Sequence, residues 1–131
     1  MTKTIGYVVM WVVILGLVIG GATYLVTAGN KPSELDTFAA CLEEKGTKFY
    51  GAFWCPHCQD QKKLFGKAAK KLPYVECSTP DGNDVQEVCK TAGIEKYPTW
   101  VFPNGSKIEG EQTLEQLAEK TGCVLPIPTG Q

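Results

Sequence analysis

The feature that most constrains this chain is an uncharged, strongly apolar stretch near its amino terminus. No charged side chain occurs within residues 4–30. A helix over residues 5–28 would be about 36 Å long, more than the roughly 30 Å hydrocarbon core of a bilayer. Tyr7, Trp11 and Tyr24 lie towards its ends, as interfacial aromatic residues often do. The stretch predicts a transmembrane helix, because the remaining chain is too small to bury so long an apolar helix.

A cleaved signal peptide is the competing interpretation, since Val26, Thr27 and Ala28 place small residues at a suitable cleavage position. The stretch exceeds the roughly 7–15 apolar residues of a secretory signal, which favours an uncleaved anchor. The predicted organisation is a short cytoplasmic tail at residues 1–4, a transmembrane helix at 5–28, a linker at 29–33, one folded domain at 34–123 and an irregular tail at 124–131.

Composition limits what the domain after the span can do. The net charge is −1 and the basic residues are scattered, so neither nucleic acid nor an anionic surface is a favoured partner. Six cysteines are many for so small a domain, and their even number behind an anchor indicates an oxidising compartment. We therefore expect a single-pass plasma-membrane protein whose domain is extracytoplasmic, in the periplasm or at the cell surface.

The pattern of apolar and turn residues in the first half of the domain predicts helix, strand and helix. Ser33 is expected to begin the first helix, with Asp36 at its start and Gly46 at its end. The aromatic segment 48–54 indicates a buried strand. Pro56 suits the first turn of the next helix, where its missing N–H costs nothing. That helix is expected to reach about residue 71, with an inward face made of Leu64, Phe65, Ala68 and Leu72.

The second half predicts strand, helix, two strands and helix. Thr113 and Gln116 form a capping box at the start of the last helix, and Gly122 ends it. Asn104 and Gly105 mark a hairpin turn between the last two strands. The strands are expected at residues 74–77, 98–102 and 107–109, and the middle helix at 84–92 with Val85, Val88, Cys89 and Ala92 facing inward.

Cys55 and Cys58 form a Cys-x-x-Cys pair at the junction between a predicted strand and a predicted helix. Backbone N–H groups and the dipole at a helix N-terminus stabilise an anion, so Cys55 is placed to act as a thiolate nucleophile. Cys58 lies one turn further on, where it can resolve the mixed disulfide. Pro56 and His57 tune the pair, because stabilising the thiolate makes the disulfide a stronger oxidant. A Pro-His dipeptide therefore favours an oxidant or isomerase.

The cysteine pair and His57 each have other interpretations. A zinc site would require further ligands, and the chain has neither a second Cys-x-x-Cys nor another histidine. A structural disulfide is poorly sheltered at a helix N-terminus. A solvated side chain is the alternative for His57, and we favour a tuning role. No metal and no cofactor other than the redox-active dithiol is expected.

The segment Phe53 to Cys58, followed by Tyr97, Pro98 and Thr99, resembles the thioredoxin superfamily. The resemblance implies a thioredoxin-like α/β fold, with a mixed sheet of about four strands flanked by helices, although the family's usual first strand is missing. It also implies that Pro98 is cis, that the Tyr97 backbone pairs with a substrate strand, and that substrate contacts come from Trp54, Tyr97, Pro98 and Thr99.

A closer resemblance is to the thioredoxin-like domain associated with bacterial and plant vitamin K epoxide reductase homologues. It rests on three segments at residues 51–62, 74–78 and 97–100. It implies a protein that oxidises cysteine-containing exported proteins and is reoxidised by a quinone-linked membrane partner. One departure concerns Phe49, which lies where many thioredoxins carry a buried acid. No other acid is an obvious proton acceptor for Cys58.

The remaining four cysteines suggest structural disulfides. Cys77 is the last residue of a predicted strand, and Cys89 lies on the apolar face of the next helix. A bond between them would bridge the loop, and the closer family carries a similar extra pair. A second redox relay through this pair is the less favoured alternative. Cys41 and Cys123 remain and could tie the first helix to the carboxyl end, but helical register does not establish that bond.

The leading functional prediction is a membrane-anchored thiol–disulfide oxidoreductase that forms disulfides in exported proteins. The first alternative is a thiol reductant of the same fold, of the cytochrome c maturation type. The second is a non-catalytic module that binds a metal such as copper or a membrane partner. The reduction potential of Cys55–Cys58 discriminates oxidant from reductant, and Cys55→Ser discriminates enzyme from binder.

Overall fold

The computed structural model describes residues 2–29 and 33–126, which belong to two separate units. Residue 1 of the predicted cytoplasmic tail, residues 30–32 of the predicted linker and residues 127–131 of the predicted irregular tail lie outside the described residues.

The first unit is a single helix, α1, at Thr2–Gly29. Its segment Thr4–Leu25 has a mean hydropathy of 2.3 and is long and apolar enough to cross a membrane. The large apolar side chains within residues 5–25 of this helix are exposed; Leu17, for example, is 72% exposed. The predicted apolar helix at the amino terminus is thus present, and it begins three residues earlier than expected.

The second unit contains short helices and strands in the predicted order. Gly66–Lys71 forms a 3₁₀ helix directly after the second helix of the domain. The other elements are α2 (Asp36–Glu44), β1 (Lys48–Gly51), α3 (Pro56–Phe65), β2 (Tyr74–Glu76), α4 (Glu87–Thr91), β3 (Thr99–Val101), β4 (Lys107–Glu109) and α5 (Leu114–Thr121).

Four strands form one mixed sheet in the spatial order β2-β1-β3-β4. β1 and β2 are parallel, with Phe49 opposite Tyr74. β1 and β3 are antiparallel, with Phe49 opposite Trp100, and β3 pairs with β4 across the predicted hairpin. This α/β arrangement, with a mixed sheet of four strands and flanking helices, confirms the predicted fold class.

The main core is built from aromatic side chains on the two central strands and the helices that cover them. Phe49 stacks on Trp100 with ring centroids 4.6 Å apart, and Phe38 of α2 stacks on Phe65 of α3 at 6.0 Å. All four side chains are fully buried. A smaller second cluster contains Cys77, Cys89 and Ile94. Phe49, where the resemblance would place a buried acid, thus belongs to this aromatic core.

The first predicted helix starts later than its sequence suggested, because Ser33 does not cap it. Asp36 begins α2, and the Asp36 N–H donates to the Ser33 carbonyl in a preceding turn at 2.9 Å. The Asp36 carboxylate lies 2.9 Å from Lys71 Nζ, and this bond lowers the pKa of Asp36. The predicted end is right, since Gly46 follows the helix with a positive φ of 77°.

The strand predicted at residues 48–54 ends at Gly51, since the next residues turn towards α3. Phe53 and Trp54 are consequently exposed, at 48% and 54%. The strands predicted at 74–77 and 98–102 are likewise one and two residues shorter.

Two side chains predicted to face inward are exposed. Leu64 is 48% exposed, because α3 turns Gln61 and Phe65 towards the core instead. The helix predicted at 84–92 begins only at Glu87, and this shift leaves Val88 50% exposed. In the last helix the capping box of Thr113 and Gln116 is confirmed, with both reciprocal hydrogen bonds present.

Candidate active site

Cys55 occupies the residue immediately before α3, at the end of the turn that leaves β1. Its backbone is extended, with φ −78° and ψ 118°, and Pro56 follows in the first helical turn. Proline is suited to that position because it fixes φ without removing a paired N–H. The Cys55 sulfur therefore lies where unpaired amide groups of the helix start favour negative charge.

Cys58 lies one helical turn after Cys55, and both are free cysteines. Cys58 is fully buried whereas Cys55 is 5% exposed. Burial raises the pKa of the Cys58 thiol to about 12. The two cysteines thus differ in access, as expected of an attacking and a resolving thiol.

Gly51 at the end of β1 makes room for Cys58. A Cβ built on Gly51 would lie 2.8 Å from the Cys58 Sγ and 3.0 Å from Cε2 of Tyr74. Contacts that short require the neighbours to shift, so this strand position is restricted to glycine by the thiol behind it. A glycine in a strand next to a Cys-x-x-Cys is a sequence signal for such a close approach.

The Tyr97–Pro98 peptide bond is cis. The Tyr97 carbonyl oxygen lies 3.8 Å from the Cys55 Sγ, so this loop faces the dithiol. Trp54 packs edge-on against the Tyr97 ring at 6.1 Å, and its indole Nε1 donates to the Ser78 hydroxyl at 2.9 Å. Trp54, Tyr97 and Pro98 thus meet around Cys55, which is where the resemblance implies a substrate would bind.

Thr99 follows this loop as the first residue of β3 and turns away from solvent. It is 2% exposed, and its hydroxyl donates to the Lys96 carbonyl at 2.7 Å. This bond fixes the loop that carries the cis peptide bond. The substrate contact predicted at Thr99 stays a prediction. The Thr99 hydroxyl is bonded within the domain.

His57 has a partner that the sequence did not reveal. Its Nδ1 lies 2.6 Å from Oε1 of Glu111, between β4 and α5. The segment between β4 and α5, which contains Glu111, is held to α3 by Gln61. The Gln61 side chain donates to the Gln112 carbonyl at 2.9 Å and accepts from the Gln112 N–H at 2.7 Å. Gln61 is fully buried. His57 and Glu111 are 54 positions apart, and no local sequence pattern links residues at that distance. The sequence therefore did not predict this contact.

Glu76 is a carboxylate close to the turn before Cys55, and it was also missed. Its Oε1 accepts from the Ser78 N–H at 2.9 Å and from the Phe53 N–H at 3.2 Å. Its Oε2 accepts from the Tyr74 hydroxyl at 2.8 Å. Burial and this hydrogen bond to the carboxylate raise the pKa of Tyr74, so its hydroxyl stays protonated. Glu76 thus fixes the backbone that leads into the dithiol.

The other four cysteines form two disulfide bonds. Cys77 pairs with Cys89, joining the residue after β2 to α4. Cys41 of α2 pairs with Cys123 after α5, across a sequence separation of 82 residues. In the regions 2–29 and 33–126 no group of three or more His, Cys, Asp or Glu side chains is placed to hold a metal ion. The chemistry available at this site is thiol–disulfide exchange.

Comparison with known proteins agrees with this geometry. Residues 36–121 match the thioredoxin family. The chain belongs to that family. It is 49% identical over 105 residues to the thiol-disulfide oxidoreductase LTO1 of Arabidopsis thaliana, covering 76% of this chain and 27% of that protein. It is 33% identical over 92 residues to protein disulfide-isomerase 5-1 of the same plant, covering 63% of each chain.

The chain therefore spans about a quarter of the length of the first relative and under two thirds of the second. Among solved structures it is similar to an oxidized glutaredoxin 2 from Chlamydomonas reinhardtii, with 22% identity, a TM-score of 0.40 and coverage of 67% of this chain and 98% of the other. Both plant relatives are named for thiol–disulfide chemistry, and thioredoxin-fold disulfide oxidoreductases work through their own cysteines without a cofactor.

Proposed function

We propose that this protein is a membrane-anchored oxidoreductase that forms disulfides in cysteine-containing exported proteins. The observation that carries the proposal is the position of Cys55. Its sulfur lies at the start of α3 and 3.8 Å from the Tyr97 carbonyl, beside the cis peptide bond at Pro98. A substrate thiolate reaching this sulfur would open a Cys55–Cys58 disulfide and form a mixed disulfide with Cys55.

The composition of the Cys-x-x-Cys pair supports an oxidant. His57 follows Pro56 at the beginning of α3 and is held by Glu111 at 2.6 Å. This contact fixes the imidazole ring on the helix turn that follows Cys55, where the helix start favours a thiolate. A stabilised reduced form makes the disulfide form a stronger oxidant.

The anchor and the location are supported by the apolar helix and the disulfides. Thr4–Leu25 has the length and hydropathy of a membrane span. The Cys41–Cys123 and Cys77–Cys89 bonds are typical of proteins that fold outside the reducing cytoplasm. We propose a short cytoplasmic tail, one span and an extracytoplasmic domain.

The proposed reoxidant is a quinone-linked membrane oxidoreductase, of the vitamin K epoxide reductase type or another. This part of the proposal rests on the resemblance of segments 51–62, 74–78 and 97–100 to the domains associated with such enzymes. An anchor in the same bilayer would keep the dithiol at a raised effective concentration near that partner.

The reduction potential of Cys55–Cys58 is the decisive measurement. The full-length chain in detergent is equilibrated with glutathione buffers, and the fraction of the pair that is oxidised is measured by mass spectrometry after trapping. We expect a potential between about −120 and −200 mV, in the range of DsbA and protein disulfide isomerase. A value near the roughly −270 mV of thioredoxin would overturn the oxidant and favour the reductant.

Two further measurements test the location and the partner. A reporter enzyme that is active only outside the cytoplasm is expected to be active when it is fused after Gln131. An inactive fusion would contradict the proposed orientation. Reconstitution of the reduced chain in vesicles with a candidate quinone-linked enzyme is expected to regenerate the Cys55–Cys58 disulfide in the presence of quinone. If the disulfide is regenerated equally fast without the enzyme, the proposal of a quinone-linked partner is wrong.

A further inference from the structure

Cys58 must carry a negative charge whenever the Cys55–Cys58 bond is opened, and it lies where a charge is costly. Its side chain is fully buried behind Cys55. Burial is the largest cause of the raised pKa of this thiol, about 12. A buried anion is tolerated when an opposite charge lies close by. The groups around Cys58 therefore decide how readily it leaves or attacks.

Lys62 is the cation placed beside Cys58. It lies four residues after Cys58 on α3, so both side chains project from one face of the helix. Its Nζ lies 3.4 Å from the centroid of the Tyr74 ring. A Cβ built on Gly51 would lie 3.0 Å from Cε2 of that ring and 2.8 Å from the Cys58 Sγ, so the edge of the ring and the thiol are neighbours. Tyr74 thus holds the Lys62 ammonium on the side of the dithiol where Cys58 is buried.

The neighbouring Lys63 shows that this placement is specific to Lys62. Lys63 has a 75% exposed side chain and pairs with Asp60 at 2.6 Å. Lys62 is only partly exposed, and none of the ion pairs found within residues 33–126 includes it. Its ammonium therefore lies over an aromatic ring, and no carboxylate of the described residues forms an ion pair with it.

Tyr74 is itself fixed in place. Its hydroxyl donates to Glu76 at 2.8 Å, and its ring packs edge-on against Phe49 at 5.2 Å. A cation over the face of a fixed ring is attracted to it, more strongly when both are partly desolvated. The ring therefore keeps Lys62 in position.

The charged and titratable groups facing Cys58 come from three parts of the domain. Cys55 and Lys62 belong to the α3 segment. Tyr74 and Glu76 belong to β2, and Tyr97 to the loop before β3; the hydroxyls of both tyrosines respond to charge on Cys58. Within this described set Lys62 alone is a cation, whereas Glu76 and an ionised Cys55 are negative.

We propose that Lys62 is a positioning residue for thiol–disulfide exchange, whose ammonium, held over Tyr74, stabilises the Cys58 thiolate. The inference rests on the proposed function. In oxidation, a substrate thiolate attacks the Cys55 sulfur, a new sulfur–sulfur bond forms, and the Cys55–Cys58 bond breaks with its electron pair left on Cys58. In the reverse step, the Cys58 thiolate attacks Cys55 and the substrate departs as a thiolate. Lys62 keeps its proton throughout.

The reverse step can be followed alone with dithiobis(nitrobenzoate), an aromatic disulfide that releases a coloured thiolate. Reduced full-length chain in detergent releases the first thiolate when Cys55 attacks, and the second when Cys58 resolves the mixed disulfide. We expect Lys62→Met to leave the first phase unchanged and to slow the second roughly three- to tenfold near neutral pH. Its pH profile should move to more alkaline values by the corresponding amount.

Matched variants separate charge from structure. Lys63→Met removes the adjacent exposed lysine and should change neither phase, while Lys62→Arg keeps the charge and should restore the second phase to within about twofold. Tyr74→Leu removes the ring and should slow the second phase, whereas Tyr74→Phe keeps the ring and should retain most of the rate.

The outcomes distinguish this inference from the function on which it rests. A second phase in Lys62→Met with the rate and pH profile of the unaltered chain would overturn the role of Lys62. So would equal slowing by Lys63→Met, or failure of Lys62→Arg to restore the rate. An unaltered chain that releases only the first thiolate would instead overturn the proposed dithiol function, and the inference with it.

Discussion

The domain contains two cysteine pairs that both join the end of a strand to a helix, yet their surroundings differ. Cys77 and Cys89 are fully buried in a cluster with Ile94 and are bonded to each other. Cys55 and Cys58 are also largely buried, but they are free, and exposed aromatic side chains and a backbone carbonyl surround the first of them. Burial alone therefore does not distinguish a structural pair from a reactive one.

The difference lies in the position of each cysteine relative to its helix. Cys55 precedes the first turn of α3, where amide groups favour an anion, and Cys58 is on the same helix one turn later. Cys89 lies in the middle of α4, and its partner belongs to another element. A cysteine pair at the start of one helix is accessible to a substrate thiol, whereas a disulfide between two elements holds those elements together.

The strongest test of this comparison is to disable each cysteine pair separately. Cys55→Ser should abolish oxidation of a reduced peptide dithiol, with a loss of at least about a thousandfold, because the sulfur that accepts the substrate thiolate is gone. The double variant Cys77→Ala with Cys89→Ala should keep the rate within about twofold once folded. Peptide oxidation can be followed by thiol titration. Comparable loss in both variants would place the Cys77–Cys89 pair in the reaction.

Within the reactive pair, alkylation at different pH values should separate the two thiols. Burial raises the pKa of Cys58 to about 12, so its neutral form persists until the solution is strongly alkaline. In a Cys55→Ala chain at pH 8, burial alone should still make Cys58 react with iodoacetamide at least about tenfold more slowly than an ordinary thiol. A Cys58→Ala chain, in which only Cys55 of the pair remains, is the control and should react at neutral pH. Mass spectrometry measures both rates, and fast alkylation of Cys58 would contradict its burial.

Stability should show the opposite ranking of the two pairs. Replacing Cys77 and Cys89 by alanine should lower the free energy of unfolding by roughly 3 kcal/mol, since the bond closes a loop across a separation of 12 residues. Replacing Cys55 and Cys58 by alanine should cost about 1 kcal/mol, because only small buried atoms are lost. Urea denaturation followed by near-ultraviolet circular dichroism measures both. Equal losses in the free energy of unfolding would show that the Cys77–Cys89 bond stabilises the domain no more than the Cys55–Cys58 pair does.

The close approach behind the dithiol can be tested at Gly51. Gly51→Ala should lower the free energy of unfolding by about 1–3 kcal/mol, because the new Cβ would lie 2.8 Å from the Cys58 Sγ. Gly105→Ala, in the hairpin with φ 79° and open space around it, controls for backbone effects without a thiol contact. A resolution step slowed only in Gly51→Ala, measured as second-phase thiolate release, would localise the effect to Cys58.

The smallest expected effect is at the exposed partner of His57. Glu111→Gln removes the carboxylate 2.6 Å from Nδ1, but the two side chains are 39% and 71% exposed. Solvent screening limits such a pair to at most about 1 kcal/mol, which corresponds to about 20 mV for a two-electron couple. We expect the potential to become more negative within that limit. A rise would show that Glu111 acts mainly by repelling the Cys55 thiolate.

The sequence was sufficient for features set by local chemistry. The capping box at Thr113, the helix ends at Gly46 and Gly122, and the hairpin turn at Gly105 depend on a few adjacent residues, and the structure has all of them. The order of strands and helices follows from the same signals, together with the resemblance of the Cys-x-x-Cys segment.

The sequence was insufficient where tertiary contacts decide. Leu64 was expected inside, yet the buried amide of Gln61 takes the inward position because it pairs with Gln112 and Trp100. The partners Glu111 and Lys62 depend on elements that meet only in the folded domain. Apolar periodicity cannot anticipate a buried polar side chain whose partners are 39 to 51 residues away.

The Cys41–Cys123 bond has a consequence for how the molecule is made. It connects α2, the first helix of the domain, with the residue that follows the last helix. Nearly the whole domain must therefore have been synthesised before this ring of covalent bonds can close. A protein proposed to donate disulfides to others also has to acquire two structural disulfides of its own, so its complete maturation depends on a separate oxidising event.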